Sequence, residues 1–167
     1  KDSEIGYFKR SRTNFEKMMA SKSMYSNVEI VDLSSNLAEE NSVDAVITFR
    51  NLHNWLGPQM DSIFANSYKA LKPGGKFGVV EHRANPGASM DAMKKSGYVT
   101  EEHAIMVAKK HGFTLVAKSE INANTKDTKN HPKGVWTLPP NLRLKDVERE
   151  KYIAIGESDR MTLLFQK

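Results

Sequence analysis

Two stretches decide the fold: Val43-Asp-Ala-Val-Ile-Thr-Phe-Arg-Asn-Leu-His-Asn-Trp55 and Ala70-Leu-Lys-Pro-Gly-Gly-Lys-Phe-Gly-Val-Val-Glu81. Asp44 to Phe49 is an apolar run with one hydroxyl, which predicts a strand buried on both faces. Met60, Ile63, Phe64, Ser67, Tyr68 and Leu71 then recur at spacings of three and four, predicting an amphipathic helix. Pro73-Gly74-Gly75 is expected to stop that helix, and Lys76 to Glu81 to form the next strand. Strand, helix, turn and strand is the order a parallel pair requires, because parallel strands need a long crossover. The predicted class is α/β.

Outward from this centre, Tyr7 to Met24 suits a surface helix and the alternating Asn27-Val-Glu-Ile-Val-Asp-Leu33 suits a strand. A polar connection is expected at Ser34 to Ser42 and a small-residue loop at Asn85 to Gly97. Thr100 is a good helix cap, with Glu101 and Glu102 in the positive first turn and Lys109-Lys-His-Gly112 at the close. Strands are expected at Phe113 to Ile121 and Arg160 to Phe165. Between them runs an irregular excursion, residues 122–159, far longer than the usual connection of about 4–6 residues. Trp136, Leu138 and Leu142 give it apolar groups to pack with.

At 167 residues the chain reads as one domain, 1–167, large enough to bury a core. Its 25 Lys and Arg are interleaved with 20 Asp and Glu, as in Lys145-Asp-Val-Glu-Arg-Glu-Lys151. That mixture reads as solvated surface, and with no nucleic-acid motif no nucleic-acid partner is expected. No apolar run nears the roughly 20 residues of a membrane helix, so no membrane partner is expected either. The absence of cysteine excludes disulfides, thiolate metal sites and a cysteine nucleophile. The compartment stays open between cytoplasmic and exported.

Three landmarks stand in order: Asn27-Val28 running to Asp32, Asp44-Ala-Val46 with Leu52-His53, and Leu71-Lys-Pro-Gly-Gly75. In these the chain resembles class I S-adenosylmethionine-dependent methyltransferases. Further segments are similar to a bacterial family of uncharacterised methyltransferases: Thr48-Phe-Arg-Asn-Leu-His-Asn-Trp55, Val80-Glu-His-Arg-Ala84, Ser119-Glu-Ile-Asn-Ala-Asn124, Gly134-Val-Trp-Thr-Leu-Pro-Pro140 and Ile155-Gly-Glu-Ser-Asp-Arg160. The resemblance implies a Rossmann-like methyltransferase sheet, S-adenosylmethionine as cofactor and a small-molecule methyl acceptor. One expected part is missing. None of the ten glycines forms a Gly-x-Gly turn after a strand, the turn that lets backbone N–H groups approach a ligand. The chain, which begins at Lys1, is therefore expected to be an N-terminally truncated portion lacking two strands and the glycine loop. It is also expected to form homo-oligomers through an uncovered strand edge.

The resemblance carries site residues with it. Asp32 and Leu33 fall where adenine would lie, and Arg50, Asn51 and Leu52 where the methionine part would. His53 and His82 are the catalytic candidates, both following strands whose carboxyl ends face the ligand crevice. Glu81, Arg83, Asn122, Asn124 and Trp136 are candidates for the acceptor pocket. Each has a structural alternative: a turn cap for Asp32, a helix cap for His53, an internal Glu81–Arg83 ion pair. No metal is expected, since the histidine and acid spacing matches no ligand motif. His103, His111 and His131 read as solvent-facing. Two other functions compete: a nicotinamide-dependent oxidoreductase, whose Gly-x-Gly-x-x-Gly is not present, and a non-catalytic Rossmann-like binding or assembly module.

Overall fold

In the computed structural model, residues 2–33 and 36–167 are described. In chain order the elements are α1 (Asp2–Ala20), β1 (Val43–Phe49), α2 (Leu52–Trp55), α3 (Pro58–Ala70), β2 (Leu71–His82), α4 (Met90–Ser96), α5 (Glu101–Lys110), β3 (Thr114–Ser119), α6 (Arg149–Ile155) and β4 (Arg160–Gln166), with 3-10 turns at Ser23–Tyr25 and Gly134–Thr137. The chain divides into two compact units, the first ending at Asp32 and the second spanning Leu33–Lys167. In the first, Arg12 pairs with Glu16 one turn along α1 at 2.8 Å and lies 3.6 Å from Asp32.

The second unit is a four-stranded sheet in the order β1-β2-β4-β3. β1 and β2 are parallel, with α2 and α3 making the crossover, while β4 runs antiparallel to both β2 and β3. Alternate residues of a strand share a face. Phe77, Val79 and Glu81 of β2 therefore point the same way, as do Met161, Leu163 and Phe165 of β4, and all six are at most 1% exposed. Leu52, Met60, Phe64, Val107 and Ala108 cover this face. Phe64 meets Phe77 edge-on at 5.0 Å. Truncating a phenylalanine packed this way costs about 3–5 kcal/mol. The period that builds the core also carries a carboxylate, Glu81, into it.

Several expectations need correction. Asn27 to Leu33 is not a strand: it has no ladder partner among the described residues, and Val28, Ile30 and Val31 stay exposed. The connection expected at Ser34 to Ser42 is described only from residue 36, the first two positions lying outside the described residues. β1 is not buried on both faces: Thr48 is buried on one, while Ile47 and Phe49, which share the other, are 66% and 56% exposed, and the strand is also the sheet edge among the described residues. The sheet is mixed rather than parallel throughout. Helix α3 stops at Ala70, ahead of Pro73, and Pro73-Gly74-Gly75 is absorbed into β2 as a bulge between the Val43–Leu71 and Ala45–Lys76 pairs. A Cβ on Gly75 would meet Leu71 and the Lys72 carbonyl at 2.9 Å, so the bulge admits only glycine there.

The loop expected at Asn85 to Gly97 contains α4, opened by the Ser89 hydroxyl accepting the Ala92 N–H and closed by Gly97 in the left-handed region. The excursion is ordered. Val135, Leu138 and Tyr152 are buried, and Gly134 passes so close to Ser96 that a Cβ would stand 2.0 Å from its carbonyl oxygen. That approach fastens the turn carrying Trp136 to α4.

Candidate active site

β1 ends at Phe49, and the Arg50 N–H continues its ladder by donating to the Val80 carbonyl at 2.7 Å. Arg50 then turns the chain through the left-handed region, and Leu52 enters the core with no exposed surface. This places His53, the next residue, over the carboxyl end of β2. There the Glu81 carboxylate accepts the backbone N–H groups of His82 at 2.7 Å and His53 at 3.2 Å, and its Oε1 lies 3.0 Å from His53 Nδ1. A buried carboxylate is costly unless hydrogen-bonded, and these contacts supply the bonds.

The His82 ring stands 5.3 Å from that of His53, with its Nδ1 2.5 Å from the Ser158 hydroxyl. Burial, and secondarily the charges of His53, Arg50 and Arg160, depress His82 to about 3, so it is neutral near pH 7. Trp136 meets His53 edge-on at 6.0 Å and carries the Arg143 guanidinium over its ring at 4.9 Å. Phe49, Arg50, His53, His82, Trp136, Pro139, Pro140 and Ser158 are among the walls of a cavity of about 330 Å³. A second groove, about 480 Å³, runs along β1 and includes Leu33, Thr48, Phe49, Asn51 and Trp55. Phe49 lines both.

The structure thus gathers four of the expected residues, Arg50, His53, His82 and Trp136, round one cavity, and sets Leu33 and Asn51 in the neighbouring groove. Others lie elsewhere. Asp32 is in the N-terminal unit, and Leu52 is core. Glu81 lies beneath the histidines and binds them; it makes no ion pair with Arg83. Arg83 instead bridges Glu101, Glu120 and Asp159 at 2.7–3.0 Å. Asn122 donates to Thr162, and Asn124 to the carbonyls of Ile155 and Glu157, so both tie down the ends of the excursion. His131 is not solvent-facing: its side chain is 5% exposed and lies 2.8 Å from Asp127, which also accepts the Tyr98 hydroxyl. His111 likewise contacts Asp61, and His103 buries its Nε2.

Sequence reading missed Phe49, Thr48, Ser158 and Asp127. Thr48 carried a signal, the one hydroxyl in an apolar strand. Its Oγ1 is buried without a hydrogen-bond partner, and the residue is part of the groove wall. Ser158 gave none, because its partner His82 lies 76 residues away, whereas Asp127 stands four residues before its partner His131 and 29 after Tyr98. His53, Glu81 and His82 also place one donor atom each within 4.8 Å of one another.

A parallel β-strand pair with a polar cavity at its carboxyl edge defines the ligand-binding type of α/β fold. Residues 10–79 match a family model described as "Methyltransferase domain". Among solved structures, a Galdieria sulphuraria protein assigned as a sarcosine dimethylglycine methyltransferase is 15% identical over 91% of this chain and 63% of its own, with a TM-score of 0.59. A SAM-dependent methyltransferase from Archaeoglobus fulgidus is 16% identical, covering 91% and 72%, at 0.53. The [4+2]-cyclase SpnF is 16% identical, covering 83% and 54%, at 0.54. No curated protein matches the sequence. The chain spans about half of the cyclase and about two thirds of the other two. Its fold is the α/β fold of S-adenosylmethionine-dependent methyltransferases, and S-adenosylmethionine is the cofactor that match and fold imply. The groove residues fit such a group: Leu33 and Phe49 are apolar wall, and Thr48 beside them carries a buried hydroxyl that has no hydrogen-bond partner.

Proposed function

We propose that the protein transfers a methyl group from S-adenosylmethionine to a small molecule held against His53, His82 and Trp136. The observation that carries this reading is the shared wall. Phe49 separates the β1 groove from the histidine-lined cavity, so a donor and an acceptor would meet at its edge. A cavity of about 330 Å³ lies at the lower end of the range for small-molecule sites, roughly 300–1,000 Å³. When bound, S-adenosylmethionine supplies an electrophilic methyl whose carbon–sulfur bond breaks, its electron pair staying on sulfur. The protein's share is alignment: Trp136 and Phe49 provide flat apolar surface, while Arg50, His53 and His82 provide polar contacts.

The fold alone does not choose the chemistry, since a cyclase shares it. Two measurements test the reading. Titration with S-adenosylhomocysteine should shift the amide resonances of Thr48, Phe49 and Asn51. Label from methyl-labelled S-adenosylmethionine should enter small molecules of a cell extract and leave added protein and nucleic acid unlabelled. Resonance shifts without transfer would favour a binding module; label entering a macromolecule would refute the small-molecule acceptor.

A further inference from the structure

Resting on that reading, we infer that Glu81 is a positioning residue: it holds His53 as the Nδ1–H tautomer, leaving Nε2 to accept a proton from an acceptor that arrives with an O–H or N–H. The argument begins with strand alternation. Glu81 shares the core face with Phe77 and Val79 and has no exposed surface. It reaches neither solvent nor the cavity wall, and the one side chain of the site that it bonds is His53. Its Oε2 accepts the His53 N–H and its Oε1 the His82 N–H, which fixes the carboxylate plane from both sides. The ring atom facing Oε1 at 3.0 Å is His53 Nδ1. An oxygen already accepting hydrogen bonds as a carboxylate requires a donor there, so the imidazole proton sits on Nδ1. Nε2 is then the bare nitrogen of a ring that borders the cavity.

His82 does not share this arrangement. Its Nδ1 faces the Ser158 hydroxyl, which donates as readily as it accepts, so nothing fixes its tautomer. Burial also makes it a poor proton acceptor. The two neighbouring histidines are therefore unequal, and the buried carboxylate is what separates them. The proton step balances simply. The acceptor's O–H or N–H bond breaks, the proton moves to Nε2, and the electron pair left on oxygen or nitrogen becomes the nucleophile. The His53 imidazolium is stabilised by Glu81 behind it. An acceptor without such a proton, a thioether or a tertiary amine, would have no use for this pair.

Nitrogen-15 spectra of the histidine rings in the intact wild-type chain test the assignment without any turnover. His53 should show a protonated Nδ1 and a bare Nε2 at neutral pH, with peaks identified by His53→Asn and His82→Asn. Glu81→Gln should remove that preference and leave the His82 pattern in place. A wild-type His53 with its proton on Nε2, or a pattern indifferent to Glu81→Gln, would overturn the inference. So would a zinc-dependent rise in melting temperature abolished by Glu81→Gln, which would make the triad a metal site. For the acceptor class, lost turnover in Glu81→Gln should be recovered at raised pH, where the acceptor loses its proton unaided; no recovery would refute that part. Absent methyl transfer by wild type would refute the proposed function, while the ring spectra would still judge Glu81.

Discussion

His53 Nδ1 lies 3.0 Å from Oε1 of Glu81, a carboxylate buried in the sheet core 28 residues further along the chain. Two adjacent parallel strands end there, and each delivers one member of the pair. His53→Ala should therefore lower turnover by about 10²–10⁴-fold, the usual worth of a general base, with donor affinity little changed. His82→Ala should also affect turnover more than donor affinity, but less severely. Turnover and donor affinity measured on both variants check this; near-normal turnover in both would move the acceptor site away from these residues.

A pH dependence follows from His82. Its folded-state value is about 3 against an ordinary 6.5, so the unfolded chain takes up a proton that the folded chain refuses. This contribution to stability is complete above about 6.5 and declines as the pH falls towards 3, by about 1.4 kcal/mol per unit. His82→Gln should flatten that decline. Urea unfolding of both proteins between pH 7 and 5 measures the difference, and parallel curves would contradict it.

Arg83 holds three acidic groups from different parts of the chain, Glu101 of α5, Glu120 after β3 and Asp159 before β4. Its guanidinium is held well above the usual arginine range by these hydrogen bonds, those to Glu120 first. Arg83→Ala leaves carboxylates facing each other in a half-buried site and should cost about 3 kcal/mol, lowering the melting temperature by roughly 6–12 °C. Arg83→Lys should recover little, because an ammonium cannot fork between three partners. Thermal unfolding of the two variants checks both claims.

Affinity for S-adenosylmethionine is expected to be weak in this chain. The sequence has no Gly-x-Gly turn after a strand, and the β1 groove offers one unpartnered hydroxyl, Thr48. Calorimetric titration giving a micromolar dissociation constant would contradict this.

Self-association is expected through β1. Its outer edge has no ladder partner among the described residues, and Ile47 and Phe49, which share one face of the strand beside that edge, are more than half exposed. Such edges recruit other strands. Light scattering over a concentration series should show a dimer or larger species, and Ile47→Lys should shift it towards monomer. A monomer at every concentration would refute the expectation.

The sequence by itself determined the local elements whose signals are local. The spacing of Met60, Phe64 and Ser67 wrote α3, Thr100 and Gly112 bracketed α5, and the apolar run before Arg50 wrote β1. It also placed His53 and His82 at the carboxyl edge of the sheet, because strand ends can be read from where apolar runs stop. Tertiary structure decided the rest. Asn27 to Leu33 has strand chemistry but no partner among the described residues, and strands are made by pairing rather than propensity. Glu81, Arg83, Asn122 and Asn124 looked alike as polar residues beside strands. Only the register of β2 against β4 shows that Glu81 faces the core under His53 while Arg83 faces Asp159. A hydrogen bond spanning 28 residues, or 76, leaves no trace in local spacing, so the pairing of His53 with Glu81 and of His82 with Ser158 emerges only when the sheet closes.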